Sequence, residues 1–324
     1  MKASFQAARP ATLLLLLGLM ALAPGRAAAL GGRFVDITTS GYEGSAPLTN
    51  FPLLVRLSTN ITNFSYTQCR PDGADLAFHD SAHNLLAHEI DTWDTNGTSL
   101  VWVRVPELTT NTTIRLYFGV PDAVAPDFTT SGTVWADGFR AVWHMDDGTG
   151  NTNILDSTAN RFGGVKAGAN SPAETNAVVG KGQQFASNYI NLTGLKDTGT
   201  THTVSMWIKG SSSATGQYFF DVETGRFILG WGSDTAGKIG LYKTAWVDFG
   251  STPSLNVWHH IAVCCSGTVA RLYVDGAFYG VQGVYSGVGF TNQVALGSRY
   301  SRDQKYFAGL LDEVRVSSVF RSPD

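Results

Sequence analysis

Apolar and polar residues alternate along short segments of the chain, which is the pattern of half-buried β-strands. From Val101 to Val105, the three valines share one face, while Trp102 and Arg104 share the other. Between residues 30 and 121 we find no long run with the 3.6-residue apolar period of a helix. This region therefore predicts a small β-sandwich of five or six strands, with the strands Phe51–Leu57, Asp75–His79, Leu86–Trp93, Leu100–Val105 and Thr113–Phe118.

A second series of β-segments extends from residue 139 to residue 324. It follows a stretch rich in Pro, Asp, Thr and Gly, residues 122–138, which we interpret as a linker. About a dozen short strands with regularly spaced turn signals favour a two-sheet jelly roll. The clearest predicted strands are Ala141–Met145, Thr203–Lys209, Arg226–Trp231, Trp258–Cys264, Ala270–Val274 and Leu311–Val316.

Residues 1–29 read as a secretory signal peptide rather than as part of the fold. Lys2 and Arg9 precede a largely apolar run from Ala11 to Ala23, and a run of three alanines ends at Ala29. An apolar run of this length is too short to cross a bilayer, which takes about 20 residues. Since no later run is long or apolar enough to span a membrane, we expect a secreted or cell-surface protein.

The composition agrees with an exported β protein. Gly accounts for 36 of 324 residues and charged residues for only 15%. Loss of residues 1–29 would remove three basic residues and no acidic one, leaving 20 basic and 26 acidic residues and a net charge of −6. An acidic chain of this kind argues against nucleic acid as a partner. The three cysteines, Cys69, Cys264 and Cys265, suggest buried small side chains rather than a disulfide framework. On a strand, the adjacent pair would point to opposite faces.

Six segments of the second region resemble the concanavalin A-like, laminin-G-like jelly-roll domains of bacterial secreted proteins. They occur in the order typical of those domains: 141–145, 156–158, 203–209, 258–262, 271–276 and 309–316. The resemblance implies a two-sheet jelly roll.

The first region is similar to an uncharacterised β domain that commonly precedes such jelly rolls on bacterial surface proteins. The similarity lies in segments 51–55, 72–78, 88–91, 101–106 and 117–119. It implies an extracellular location, and it implies no chemistry.

Aromatic side chains outside the fold-defining segments are candidates for a ligand-binding surface. Aromatic rings can stack on sugar rings, although simple packing in the core is the alternative for each of them. The candidate ligand-binding residues are Trp231, Tyr242, Trp246, Tyr285, Arg299 and Tyr300. We expect them to bind an extracellular glycan or a cell-surface protein.

The loop from Asp146 to Asp156 concentrates oxygen ligands and glycines, which suits a structural Ca²⁺. Its candidate ligands are Asp147, Asn151 and Asp156, and the jelly-roll resemblance adds Asp312. The alternative is that Asp, Asn and Gly here only build turns.

The segment from Glu89 to Asp94 resembles the catalytic strand motif of jelly-roll β-glucanases, in which two carboxyl groups act together. The segment lies in the first region, about 45 residues before the jelly roll that should hold it, and its last acid is Asp rather than Glu. We therefore predict a non-enzymatic extracellular binding protein. The alternatives are a β-glycan hydrolase using Glu89 and Asp94, and a structural or adhesive module of a larger surface protein.

Overall fold

The fold is nearly all β, with 50% strand and 3% helix, which confirms the predicted class. The computed structural model describes residues 32–39, 42–168, 171–196, 199–222, 227–232, 237–242, 245–250, 253–282, 290 and 293–321. The predicted signal peptide lies outside these residues. Within them, no helix has the length and apolar character needed to span a membrane.

The first domain is a sandwich of two small antiparallel sheets. Their strand orders are β1-β7-β3-β4 and β2-β6-β5. The predicted alternation is confirmed on β6, because Val101, Val103 and Val105 pack in the core of this domain while Trp102 lies on the other face. A short 3-10 helix, Tyr66–Gln68, follows β2. The strands are β1 (Arg33–Thr38), β2 (Leu48–Leu57), β3 (Ala77–His79), β4 (Leu85–Leu86), β5 (His88–Thr92), β6 (Ser99–Leu108) and β7 (Thr113–Phe118).

The second domain is a jelly roll of two eight-stranded antiparallel sheets. We call the sheet with the order β18-β17-β16-β15-β22-β13-β10-β9 the front sheet. The back sheet has the order β11-β12-β23-β14-β19-β20-β21, and β8 also pairs with β23. The strands are β8 (Phe139–Trp143), β9 (Asn153–Ile154), β10 (Gly164–Gly168), β11 (Ala173–Asn176), β12 (Lys181–Ala186), β13 (Asn188–Thr193), β14 (His202–Gly210), β15 (Tyr218–Val222), β16 (Phe227–Trp231), β17 (Ile239–Tyr242), β18 (Trp246–Asp248), β19 (His259–Ser266), β20 (Val269–Val274), β21 (Ala277–Gln282), β22 (Gln293–Leu296) and β23 (Ala308–Ser317).

The main hydrophobic core lies between the front and back sheets. Alternate residues of the central strands enter it, for example Phe227, Leu229 and Trp231 of β16. Cys265 belongs to this core, whereas Cys264 packs beside Tyr273 on the opposite face of the back sheet, as the adjacent pair predicted.

The last part of residues 122–138, the segment that the sequence suggested as a linker, packs between the two domains. The segment contains two short 3-10 helices, Asp127–Thr129 and Thr133–Trp135. The Trp135 ring is fully buried and lies 5.4 Å from the Trp102 ring of β6. Together with Val142 of β8 and Val179, these side chains form a third apolar cluster, which we call the interdomain seam. The second face of β6 is therefore covered by the jelly roll rather than by water.

Candidate functional site

A row of four side chains crosses the outer face of the front sheet. The strand register pairs Asp221 of β15 with Ile228 of β16, Ile228 with Tyr242 of β17, and Tyr242 with Trp246 of β18. Residues that pair directly across neighbouring strands project to the same side of a sheet. Because the core takes the other face of these strands, the row points away from it.

The neighbouring row is occupied mainly by glycines, and this leaves room for the aromatic rings. Tyr218, Gly230, Gly240 and Asp248 pair in turn across the same four strands. A Cβ atom on Gly240 would lie 2.9 Å from Cε3 of Trp246, so the indole ring rests directly against this glycine.

These residues and the loop after β22 enclose a cavity of about 380 Å³. The ring centroid of Trp246 lies 5.5 Å from that of Tyr218 and 5.6 Å from that of Tyr242. Ligand pockets are usually apolar, with a few placed polar groups. This cavity, which we call the aromatic cavity, is lined by Tyr218, Asp221, Ile228, Tyr242, Trp246, Arg299 and Tyr300.

Asp221 supplies an acidic group that is fully buried. Its Oδ2 accepts a 2.9 Å hydrogen bond from the backbone N–H of Tyr300, whereas its Oδ1 has no hydrogen-bond partner among the described residues. Burial raises the pKa of Asp221 to about 7, against the opposing effects of the Tyr300 N–H and the Arg299 charge. Near neutral pH this carboxyl group can therefore accept or donate a hydrogen bond.

Arg299 supplies a positive charge at the same cavity. Its guanidinium carbon lies 5.9 Å from the centre of the Tyr300 ring. The loop is fixed through its backbone, since the Arg299 N–H donates to the Gln304 carbonyl at 3.1 Å and the Arg302 N–H donates to the Arg299 carbonyl at 2.7 Å. Within the described part of the chain, the Arg299 guanidinium forms no ion pair, so it remains available to a ligand.

The structure brings together four of the six candidate ligand-binding residues, Tyr242, Trp246, Arg299 and Tyr300. Trp231 does not belong to the cavity, because it faces the core, where its ring lies 5.1 Å from that of Phe219. Tyr285 lies outside the described residues.

The sequence reasoning missed Tyr218 and Asp221. Strict alternation would place residues three apart on opposite faces of a strand. A β-bulge between Tyr218 and Phe220 inserts one extra residue, and Tyr218 and Asp221 therefore both reach the cavity. The available signal was an acidic residue inside the apolar run of β15.

The four candidate Ca²⁺ ligands make hydrogen bonds in three separate places. Asp147 and Asn151 bond within their own loop, where the Asn151 amide donates to the Asp147 carbonyl at 3.0 Å. Both carboxylate oxygens of Asp156 accept bonds from residues 142, 158 and 162. Oδ2 of Asp312 accepts from the N–H groups of residues 178 and 179. Calcium binding stays a prediction.

A second polar cluster lies in the interdomain seam, on β23 and the loop after β8. Nδ1 of His144 lies 2.8 Å from Oε1 of Glu313, and Oε2 of Glu313 accepts a 2.7 Å bond from Arg315. The Arg315 guanidinium lies 4.5 Å from the Trp102 ring centre. Burial would lower the pKa of His144, but the Glu313 and Asp91 carboxylates outweigh it and raise that pKa to about 10. The raised pKa favours the charged imidazolium form of His144 at neutral pH.

The first domain contributes Glu89 and Asp91 to this cluster. The Glu89 carboxylate accepts 2.6 Å bonds from Nε1 of Trp135 and from Oγ of Ser157, so it joins the domains. A carboxylate oxygen of Asp91 lies within 4.8 Å of a ring nitrogen of His144 and of a carboxylate oxygen of Glu313. Asp94, by contrast, is exposed and accepts a turn bond from the Asn96 N–H at 3.0 Å. Glu89 and Asp94 thus have separate structural partners.

The chain is therefore a two-domain β protein, and its jelly roll carries a cavity on the outer face of the front sheet. Residues 182–324 match a family described as the concanavalin A-like lectin/glucanases superfamily, Laminin_G_3. Residues 72–154 match a domain of unknown function, DUF2341. These two matches, in this order along the chain, confirm both resemblances.

Solved structures are similar to the chain at low identity. Domain 4 of AbnA, a GH43 extracellular arabinanase from Geobacillus stearothermophilus, in complex with arabinotriose, is 21% identical with a TM-score of 0.48 and aligns over 57% of this chain and 94% of that one. The binding domain of Paraclostridial Mosquitocidal Protein 1 is 14% identical with a TM-score of 0.44, over 57% of this chain and 50% of that one. The native heptameric SAP-like pentraxin from Limulus polyphemus is 18% identical with a TM-score of 0.36, over 42% of this chain and 71% of that one. No curated protein matches the chain.

Proposed function

We propose that the protein is an exported, non-enzymatic binding protein that holds an extracellular glycan in the aromatic cavity. The observation that supports this most directly is the row from Asp221 to Trp246, which places an acid and two aromatic rings on one sheet face. The volume of the aromatic cavity, about 380 Å³, is within the range of small-molecule sites, roughly 300–1,000 Å³.

A sugar ring suits this combination of groups because its C–H bonds form an apolar face and its hydroxyls point outward at the edge. An aromatic ring can cover the C–H face, and Trp and Tyr also carry a polar tip that remains hydrogen-bonded. The Asp221 Oδ1 atom needs a partner, because a buried polar atom without a hydrogen bond costs free energy. A sugar hydroxyl, or a water that bridges to it, would satisfy that atom.

Replacement of Trp246 tests this proposal. Because the indole ring lines the cavity between two tyrosines, we expect Trp246→Ala to weaken glycan binding by about tenfold or more. Binding is measured on a glycan array and then by calorimetry with the oligosaccharides that give signal.

Phe278→Ala is the matched control, because Phe278 is an aromatic residue that is 57% exposed on β21 of the back sheet. The control should bind like the wild type. A blank array with the wild-type protein would reject the proposal, and so would equal binding by Trp246→Ala. A blank array combined with retention on cells would instead favour the adhesive alternative.

A further inference from the structure

We propose that the aromatic cavity selects acidic sugars, with the carboxylate of a uronic acid bound by Arg299. This inference rests on the proposed glycan-binding function and names the class of sugar. It starts from the position of one charged group, the Arg299 guanidinium, at a cavity whose other lining residues are mainly aromatic.

The first argument is that the Arg299 guanidinium forms no ion pair with any residue that the structure describes. Elsewhere in the described chain, two surface arginines do have an acidic partner: Arg115 forms a 2.6 Å ion pair with Asp36, and Arg70 forms a 3.1 Å ion pair with Asp72. The Arg299 guanidinium makes no such pair among the described residues, although its backbone is held in a tight loop. A guanidinium presents a planar set of N–H donors that matches the two oxygens of a carboxylate.

The second argument is the balance of charge inside the cavity. The ionisable residues facing Asp221 are Arg299 and Tyr218, and Asp221 is the acid of the cavity lining. Because burial raises the pKa of Asp221 to about 7, this acid neutralises Arg299 only in part at neutral pH. An anionic ligand completes the neutralisation, whereas a cationic one would meet an uncompensated guanidinium.

The third argument is the placement of the charge beside a ring. Arg299 precedes Tyr300 directly, and its guanidinium carbon lies 5.9 Å from the centre of that ring. A sugar that stacks on the aromatic lining therefore brings a substituent on its own ring within reach of the guanidinium. In a uronic acid the carboxylate is attached directly to the sugar ring, so the stacked ring fixes its position. A sulfate ester has similar charge but stands one oxygen farther out, and it serves as a comparison in the test.

The experiment compares each acidic oligosaccharide with its own carboxyl-reduced form, which keeps the ring and loses the charge. The probes are oligomers of galacturonic, glucuronic and mannuronic acid, titrated into the full chain by calorimetry. We expect the best acidic probe to bind roughly 10–100-fold more tightly than its reduced form, which is the range for a hydrogen-bonded charge pair. This preference should shrink as salt rises from 50 to 500 mM, because the cavity is open to solvent.

Arg299→Gln should bring the affinity for the acidic probe down to that for the reduced form, and Arg299→Lys should restore only part of the difference. The matched control is Arg271→Gln, since Arg271 is an exposed arginine of β20 whose guanidinium carbon lies 5.4 Å from the Phe320 ring. It removes the same charge from the back sheet and should keep the preference.

Four results would overturn the inference. Equal or tighter binding of the reduced forms, lost in Trp246→Ala, would reject acid selection and keep the proposed glycan site. A preference for the acid that survives in Arg299→Gln would reject the role of Arg299. Tighter binding of a sulfated oligosaccharide than of every uronic acid would reassign the charge pocket to sulfate esters. Binding of no sugar at all would reject the proposed function and this inference together.

Discussion

The Asp221 carboxyl group lies on the outer face of β15 and is fully buried. One of its oxygens is hydrogen-bonded, and the other has no partner within the part of the chain that the structure describes. Burial disfavours its charged form, which raises its pKa from the usual value near 3.8 to about 7. A raised pKa means that the folded protein holds this proton more tightly than the unfolded chain does. Asp221 therefore links the stability of the front sheet to pH.

The sign of this link gives a prediction for Asp221→Asn. The wild type should lose stability between about pH 4 and pH 7, as Asp221 ionises in the unfolded chain before it ionises in the folded one. The asparagine variant carries no such group, so its melting temperature relative to the wild type should rise across that window. The gain is on the order of a few kcal/mol, at about 1.4 kcal/mol per pKa unit. If the difference in melting temperature between the two proteins stayed constant from pH 4 to pH 8, the raised pKa of Asp221 would be contradicted.

At the scale of the strand, the aromatic cavity depends on glycines as much as on aromatic residues. Gly230 and Gly240 pair across β16 and β17 beside the row that carries Ile228 and Tyr242. At Gly240 a side chain would meet Trp246 at 2.9 Å and Asp248 at 2.8 Å. A distance below 3.0 Å requires one of these neighbours to move.

Gly240→Ala should therefore displace the Trp246 ring and lower glycan affinity, by about tenfold if the ring leaves the cavity. The measurement is calorimetric binding beside a thermal melt, which separates loss of the site from loss of the fold. Gly280→Ala is the matched control, because a Cβ atom there would contact Phe249 at an ordinary 3.4 Å. Equal affinity of Gly240→Ala and wild type would show that the ring does not need the glycine.

Elements with regular alternation were predictable from the sequence, and those with an irregularity were not. The valines of β6 and the adjacent Cys264 and Cys265 have the faces that a period of two predicts. Tyr218 and Asp221 share a face only because of the bulge at Phe219, and the acid inside the apolar run of β15 was the signal that could have indicated it. Trp231 was misplaced because exposed and buried tryptophans look alike in a single sequence.

At the scale of the whole molecule, the interdomain seam holds a buried charge network that belongs to both domains. His144 of the jelly roll lies between Glu313 of its own domain and Asp91 of the first domain. Removing one member of such a network leaves a buried charge uncompensated, which typically costs about 3–5 kcal/mol.

His144→Gln should lower the melting temperature most strongly at about pH 6.5 and below. The pKa of His144 is raised to about 10 in the folded protein, so its contribution is complete below about pH 6.5 and disappears as the pH rises through 10. The difference between wild type and variant should therefore shrink from pH 7 to pH 10 in calorimetric melts. His79→Gln is the control, because His79 lies in the first domain and its ring bonds the His83 carbonyl at 3.0 Å, outside the seam. A difference that is constant with pH would show that His144 is neutral in the seam.

The position of strand β8 limits how the two domains can be exchanged between proteins by recombination. The DUF2341 match continues to residue 154 and so includes β8, although β8 pairs with β23 inside the jelly roll. The Laminin_G_3 match begins only at residue 182. A recombination event that moved only one of the two matched segments would separate β8 from its partner strand β23, and His144 from Glu313. Lineages should accordingly exchange the two segments as a pair, with ancestral breakpoints outside residues 72–324 rather than between them.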